Sequence, residues 1–336
     1  MNFGLPRRIA VSFALLFSLP LAGLDRVSAG TPDQVQRDVR TAPTSVQMVD
    51  ALNGVFGAHA FTRANHAHGS MFMASFSPSV GARQISRAPH FQDLNSAVLV
   101  RFSTFGGNPD VADADPGAAP YGMSLKFYLP DRSETDLIMH SFNGFPSTTA
   151  AEFVDFLHAM AQGPAALDQY AATHPPARAF LQAAKPAPAS FASQPYFAVN
   201  TFKFTNAAGK ISYGRYRMVP ETPARYLSAV QTGAAAAAYL QTEMAQRLAA
   251  GPVTMRLQLQ IAEAGDPLED PSMTWPENRR IVELGRLTIT APAEQSAERD
   301  QAVFLPDELP DGIEPADPMI SARTRAYNES LERRVR

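Results

Sequence analysis

Apolar and polar positions along this chain follow two periods, and each change of period marks an element. From Ser45 to Phe56, residues Val46, Val49, Leu52, Val55 and Phe56 recur at helical spacing, and Gly57 closes that helix. Arg63-Ala64-Asn65-His66-Ala67-His68-Gly69 then runs into Ser70–Phe76, where small and large apolar residues alternate, so the first strand is predicted to carry His66. Ala97–Thr104, Gly122–Leu129 and Thr135–Phe142 read as further strands, the last two joined by a polar turn at Asp131-Arg132-Ser133. Thr148–Ala161 returns to helical period, and Pro- and Ala-rich helical pieces fill 164–184 before Lys185-Pro186-Ala187-Pro188 breaks them. Val199–Phe204 and Ile211–Met218 flank the turn Asn206–Lys210 as a hairpin. The Ala-rich run 233–250 is predicted to be a helix closed by Gly251. Met255–Ile261 and Arg286–Thr290 alternate strictly, and Met319–Arg334 is the last helix. No internal repeat is visible. Helix-flanked antiparallel strands in this order predict an α+β fold with an antiparallel β-barrel core and surrounding helices.

Composition narrows the chemistry. The chain is 45% hydrophobic and 18% charged with a net charge of −3, which suits one large domain and argues against a nucleic-acid partner. It has no cysteine, which excludes disulfides, thiolate-held metals and a thiol nucleophile. No Gly-rich strand-to-helix fingerprint supports a nicotinamide or flavin site. Arg7-Arg8, the apolar run Ile9–Leu24 and the small-x-small pattern Val27-Ser28-Ala29 predict a signal peptide over 1–29, cleaved after Ala29. The alternative is an uncleaved anchor, and Arg7-Arg8 also allow twin-arginine export. The expectation is a single domain over 30–336, exported to the periplasm with no stable membrane insertion.

Two stretches carry candidate chemistry. One is His66, delivered into an apolar run three residues after Arg63. The other is the last helix, where Arg323, Tyr327 and Arg334 fall within about 40° of one another on a helical wheel. Taken alone, that stripe reads as a solvated basic face carrying a tyrosine. The chemical alternative is that a phenolate ligates ferric haem. A phenol's ordinary pKa near 10 then requires a nearby cation such as Arg323.

Beyond these stretches, Arg63-x-x-His66-Ala67-His68-Gly69, Val100-Arg101-Phe102-Ser103-Thr104 and Gly122–Tyr128 stand in one order with Asp136-Leu137, Thr201–Asn206 and Trp275-Pro276. Glu283-Leu284-Gly285-Arg286-Leu287, Gly312–Met319 and Arg323-x-x-x-Tyr327 complete it. The series resembles the haem catalase superfamily, most of all its small exported catalase-related peroxidases, from about Ser45 to the end. The resemblance implies a b-type haem whose iron is ligated by Tyr327, with Arg323 as the charge partner. It implies His66 as the distal acid/base, Ser103 as the hydroxyl holding its imidazole, and Arg63, Arg101 and Arg334 as partners of the haem propionates. Phe145 and Phe153 correspond to the aromatics of the distal pocket. His68, Met71 and Met73 are read as structural.

The sequence also departs from the family. The distal asparagine that helps position peroxide has no clear counterpart: an ungapped count from Asp136 reaches Ser141, and Asn143 takes the place only if the strand bulges. Asn65 stands where an apolar residue narrows the channel, and Ala119 stands where large catalases carry an aspartate. The sequence given ends soon after Tyr327, without the wrapping and C-terminal parts of large catalases, which favours a monomer or dimer. Together these imply a peroxidase acting on hydrogen peroxide or organic hydroperoxides with an external small-molecule or protein electron donor, and only weak catalase activity. The alternatives are a hydroperoxide isomerase or dehydratase of the allene oxide synthase type, and a non-enzymatic periplasmic haem-binding protein.

Overall fold

The computed structural model describes residues 42–92, 95–294 and 301–336. The signal segment expected over 1–29 lies outside them, and Ala42–Arg336 cluster as one compact unit. Among the described residues no helix is long and apolar enough to cross a membrane.

The centre is a closed antiparallel barrel. Strands β1 (Gly69–Pro78), β2 (Ser96–Ser103), β3 (Gly122–Tyr128) and β4 (Glu134–His140) form a meander. It continues through β5 (Tyr196–Phe197) to β7 (Ile211–Pro220). β8 (Val253–Ile261) and β9 (Ile281–Pro292) close the ring by pairing β7 with β8 and β9 with β1. β6 (Phe202–Thr205) and β10 (Ile313–Pro315) extend the sheet beyond β7. Closure leaves the eight ring strands without a free edge. The pleat sorts the side chains: Phe72, Val100, Leu125 and Leu137 share one register row and fill the interior. The neighbouring row Arg101–Ser124–Ile138, and the row Ser103–Gly122–His140 two positions beyond it, face outward.

Helices cover that outward face. α1 (Ser45–Phe56) begins at a capping box in which Thr44 and Gln47 bond each other's backbone. Its buried face is Met48, Val49, Ala51 and Leu52, whereas Val46, counted in the sequence periodicity, is exposed. That face packs on Val154 and Leu157 of α3 (Ala150–Ala161), and on Ala322 and Ala326 of the last helix (Met319–Val335). The small α2 (Val80–Ile85) packs on β9, while α4 (Pro164–Thr173) and α5 (Pro175–Gln182) extend from α3.

Two predicted elements take a different form. The alanine run 233–250 is not one helix: α6 (Ala229–Gly233) ends at its first residue, and α7 starts only at Tyr239 and runs to Ala250. Asp113, from the loop after β2, decides the start, because its carboxylate accepts from Leu240 N–H and its own N–H donates to the Ala237 carbonyl. A buried partner distant in sequence overrides local propensity there. The strand predicted over Val199–Phe204 begins only at Phe202. Asn200 and Thr201 instead turn their side chains to Asp317 and Arg215.

Candidate active site

β1 starts at Gly69, so His66 does not lie on a strand as its pattern predicts. His66 sits in an irregular segment with φ of 56°, in the left-handed region that non-glycine residues seldom adopt. Bonds from elsewhere in the chain hold it there. Ala67 N–H donates to the Gly106 carbonyl (2.9 Å), and Gly106 N–H donates to the Asn65 side-chain oxygen (2.9 Å). The Arg101 guanidinium donates to the carbonyls of His66 (2.8 Å) and Ala67 (3.2 Å).

These constraints aim the imidazole. Its Nδ1 is 2.9 Å from the Thr104 carbonyl and 3.1 Å from Ser103 Oγ. A carbonyl can only accept, so Nδ1 carries the proton and Nε2 presents its lone pair. Phe105 meets the ring edge to face at 5.8 Å. Burial, then the positive charge of Arg101 and more weakly of Arg323 and Arg63, hold the imidazole pKa down to about 4, with the Thr104 carbonyl opposing them. The ring is a neutral base at physiological pH.

The close fit of His66 depends on Gly122. A Cβ there would stand 2.5 Å from Ser103 Oγ and 2.8 Å from His66 Nδ1. Gly122→Ala is expected to displace the imidazole and to cost about 1–3 kcal/mol as an overpacked site. Denaturant unfolding checks the stability loss, and unchanged stability would show that the ring gives way without strain.

The facing wall is the last helix, α8 (Met319–Val335). Arg323, Tyr327, Ser330 and Arg334 recur on one stripe of it and border one cavity. Arg323 Nη2 donates to the Tyr327 phenol oxygen at 2.9 Å, while its Nη1 donates to Asn200 Oδ1 at 2.5 Å. Asn200 in turn donates to the buried Asp317 carboxylate at 2.7 Å, and Asp317 accepts from Met319 N–H at the start of α8. The guanidinium is thus oriented from behind by an amide and a carboxylate. Ser330 Oγ accepts from Ala64 N–H at 3.1 Å, tying the His66 segment directly to this helix.

The cavity between these walls has about 1330 Å³ of empty space, solvent at its mouth included. Four arginines line it, Arg63, Arg101, Arg323 and Arg334, and among the described residues no carboxylate does. Apolar groups such as Met48, Leu52, Phe105, Val199 and Val303 make up most of the remaining wall. Residues 40–336 match the family model described as catalase.

The chain belongs to the catalase family. Two similar proteins are each described as a catalase-related peroxidase. The one from Mycolicibacterium paratuberculosis is 37% identical over 300 residues, covering 87% of this chain and 95% of that protein. The one from Synechococcus elongatus is 28% identical over 344 residues, covering 98% and 97%. The fold superimposes on a fungal catalase crystal structure with a TM-score of 0.73 at 22% identity, and on catalase A from Saccharomyces cerevisiae with 0.72 at 21%. The matches cover 82% of this chain but only 60% and 61% of those two catalases.

Membership of the catalase family implies a haem group, and the lining residues fit one. An apolar slot with several guanidiniums and no carboxylate suits a flat apolar body with two acidic side chains. The phenol of Tyr327, with Arg323 donating to its oxygen, suits a ferric ion. Arg63 and Arg334 are already oriented by the Ala302 and Gln301 carbonyls (2.7 and 2.8 Å), so both hold positions at the cavity edge.

Of the residues singled out in the sequence, His66, Ser103, Arg63, Arg101, Phe145, Phe153, Arg323, Tyr327 and Arg334 border this one cavity. Phe145 and Phe153 touch, with ring centroids 5.0 Å apart. Asn143 does not border it. β3 and β4 pair without a bulge up to Gly122–His140, the strand ends there, and Ser141 Oγ accepts from Tyr121 N–H. Of the residues that β4 brings to the cavity, Ile138, Met139 and His140, the polar one is His140, which the ungapped count passed by one residue. Centring the hairpin on Asp131 would have placed it opposite Gly122. The second omission is Asn200 with Asp317, whose link across more than a hundred residues leaves no local signal. His68 bonds Asp113 and the Pro109 carbonyl and serves the loop.

Proposed function

We propose that this protein is a haem-dependent peroxidase that reduces hydrogen peroxide or organic hydroperoxides with electrons from an external small-molecule or protein donor. The observation that carries the reading is one cavity with the Tyr327–Arg323 pair on one wall and the oriented, neutral imidazole of His66 on the other. Tyr327 would hold the iron through its phenol oxygen, and Arg63, Arg101 and Arg334 would meet the propionates.

The haem, when bound, supplies the redox chemistry that cleaves the peroxide O–O bond. His66 supplies the proton movement: Nε2 takes the proton from one peroxide oxygen and returns it to the other, which leaves as water or alcohol. Thr104 and Ser103 keep Nδ1 protonated and the ring aimed while this occurs. Arg323 donates to the phenol oxygen, a bond that strengthens as that oxygen gains negative charge. A catalase turnover needs a second peroxide as reductant. Asn65 at the cavity wall, in place of an apolar residue, supports access for larger substrates over that tight second-peroxide site. The Arg7-Arg8 and Ile9–Leu24 pattern supports export to the periplasm as part of the same proposal.

The test is the absorption spectrum of haem-loaded protein, followed by turnover of hydrogen peroxide with and without a reducing dye. A Soret band and donor oxidation well above donor-independent oxygen release are expected. Failure to take up haem, or oxygen release that dominates whether or not the dye is present, would overturn the reading.

A further inference from the structure

β3 and β4 bring a second imidazole to the cavity that the mechanism above leaves unused. Ser103, Gly122 and His140 form one register row across β2, β3 and β4 and face the same way. Gly122 has no side chain, and the ring of His66 occupies the space above it, as the 2.8 Å approach to the vacant Cβ position shows. His66 and His140 therefore flank the same glycine, one reaching over it from the loop before β1 and the other standing beside it on β4. Both line the cavity, where each keeps part of its surface, while the rest of each ring is enclosed by protein.

The ring of His140 is not explained by the fold. Its Nδ1 is buried and makes no hydrogen bond of normal geometry among the described residues, the Phe142 backbone being only a weak partner of the ring. Leaving such a nitrogen unsatisfied costs stability, and a leucine would fill the same space without that cost. His66, by contrast, spends its Nδ1 on Thr104 and Ser103. Burial above all, then Arg323 and His66, hold the His140 pKa down to about 3, with the Phe142 backbone opposing them. A neutral imidazole has one N–H donor and one acceptor nitrogen. His66 faces the cavity with its acceptor, which leaves a donor to be supplied from elsewhere.

We propose that His140 is a second distal imidazole, which donates a hydrogen bond to the peroxide oxygen while the lone pair of His66 takes the proton. The proposal rests on the haem peroxidase reading and adds a substrate-contacting residue to it. It also accounts for a missing amide at this wall: His140 borders the cavity, and neither Ser141 nor Asn143 does. No bond is made or broken at His140, and its proton stays in place.

Fluoride is the probe, because it binds ferric haem, carries no proton of its own and can only accept hydrogen bonds. Wild type, His140→Leu and His140→Gln are loaded with haem, and fluoride affinity is measured by absorption titration alongside haem content and thermal unfolding. His140→Leu is expected to keep its haem and fold, and to weaken fluoride binding about tenfold or more, the worth of one hydrogen bond to a charged acceptor. His140→Gln, whose amide still donates, is expected to recover part of that loss. Equal fluoride affinity in wild type and a folded, haem-loaded His140→Leu overturns the proposal and leaves the peroxidase reading standing. So does equal weakening in both variants, which indicates packing. If His140→Leu does not fold, comparison of His140→Gln with His140→Phe decides by the same criterion. Wild type that takes up no haem overturns the peroxidase reading itself, and this proposal with it.

Discussion

Tyr327→Phe is expected to leave the fold intact and to abolish stable haem retention. The substitution removes one oxygen and keeps the ring, so the contacts of Tyr327 with the cluster of α1, α3 and α8 persist. That oxygen is the acceptor for Arg323 Nη2 and the phenol best placed to ligate iron in the cavity. Loss of a residue that merely orients a metal ligand already costs about 10–100-fold in affinity, so loss of the ligand itself is expected to exceed the upper end of that range. Arg323 compounds the effect. Asn200, backed by Asp317, still holds its guanidinium in place, and the cavity keeps four cations with one fewer oxygen to face them. The measurement is haem bound per protein after gel filtration, with thermal unfolding of the haem-free chain as a control. A Tyr327→Phe protein with wild-type haem content and an unchanged spectrum would place the iron on another ligand.

How far such a site can be read from the sequence depends on whether its geometry is local. The stripe Arg323, Tyr327 and Arg334 was legible because helical spacing alone sets it, and the structure puts all three on one wall. The barrel strands were legible for the same reason: the period of two survives as alternating burial in Arg286–Thr290, whereas in Met255–Ile261 the polar Gln258 and Gln260 are buried as well. His66 was legible as chemistry but not as geometry. Its backbone turns left-handed because Arg101, Gly106 and Asn65 hold the segment, and none of those bonds shows in the pattern around it. His140 was missed for a different reason. Its place is set by pairing with Gly122 across a hairpin, so a count along a single strand lands one residue away and on the wrong face. The break in the alanine run had no local cause either, since Asp113 imposes it from the loop after β2.

His66→Ala is expected to keep haem and to slow the reaction with peroxide by about 10²–10⁴-fold, the usual worth of a positioned general base. Retention follows because Tyr327, the proposed iron ligand, sits on the opposite wall, and the arginines that would meet the propionates do not depend on the imidazole. Arg101 bonds the His66 backbone carbonyl, which alanine still provides. The pH dependence separates this role from simple cavity filling. Burial and the nearby guanidiniums hold the imidazole pKa down to about 4, below its ordinary 6.5, and only the neutral ring can accept a proton. Wild-type reactivity is therefore expected to stay level as pH falls through 6.5 and to decline only near 4, where the ring becomes charged. Stopped-flow mixing with peroxide reads both effects, and the residual rate of His66→Ala should lack the acid limb. Added imidazole, small enough to enter the space left by the side chain, is expected to restore part of the rate. If His66→Ala reacts with peroxide as fast as wild type, proton transfer belongs to another group and the loop before β1 serves only to shape the cavity.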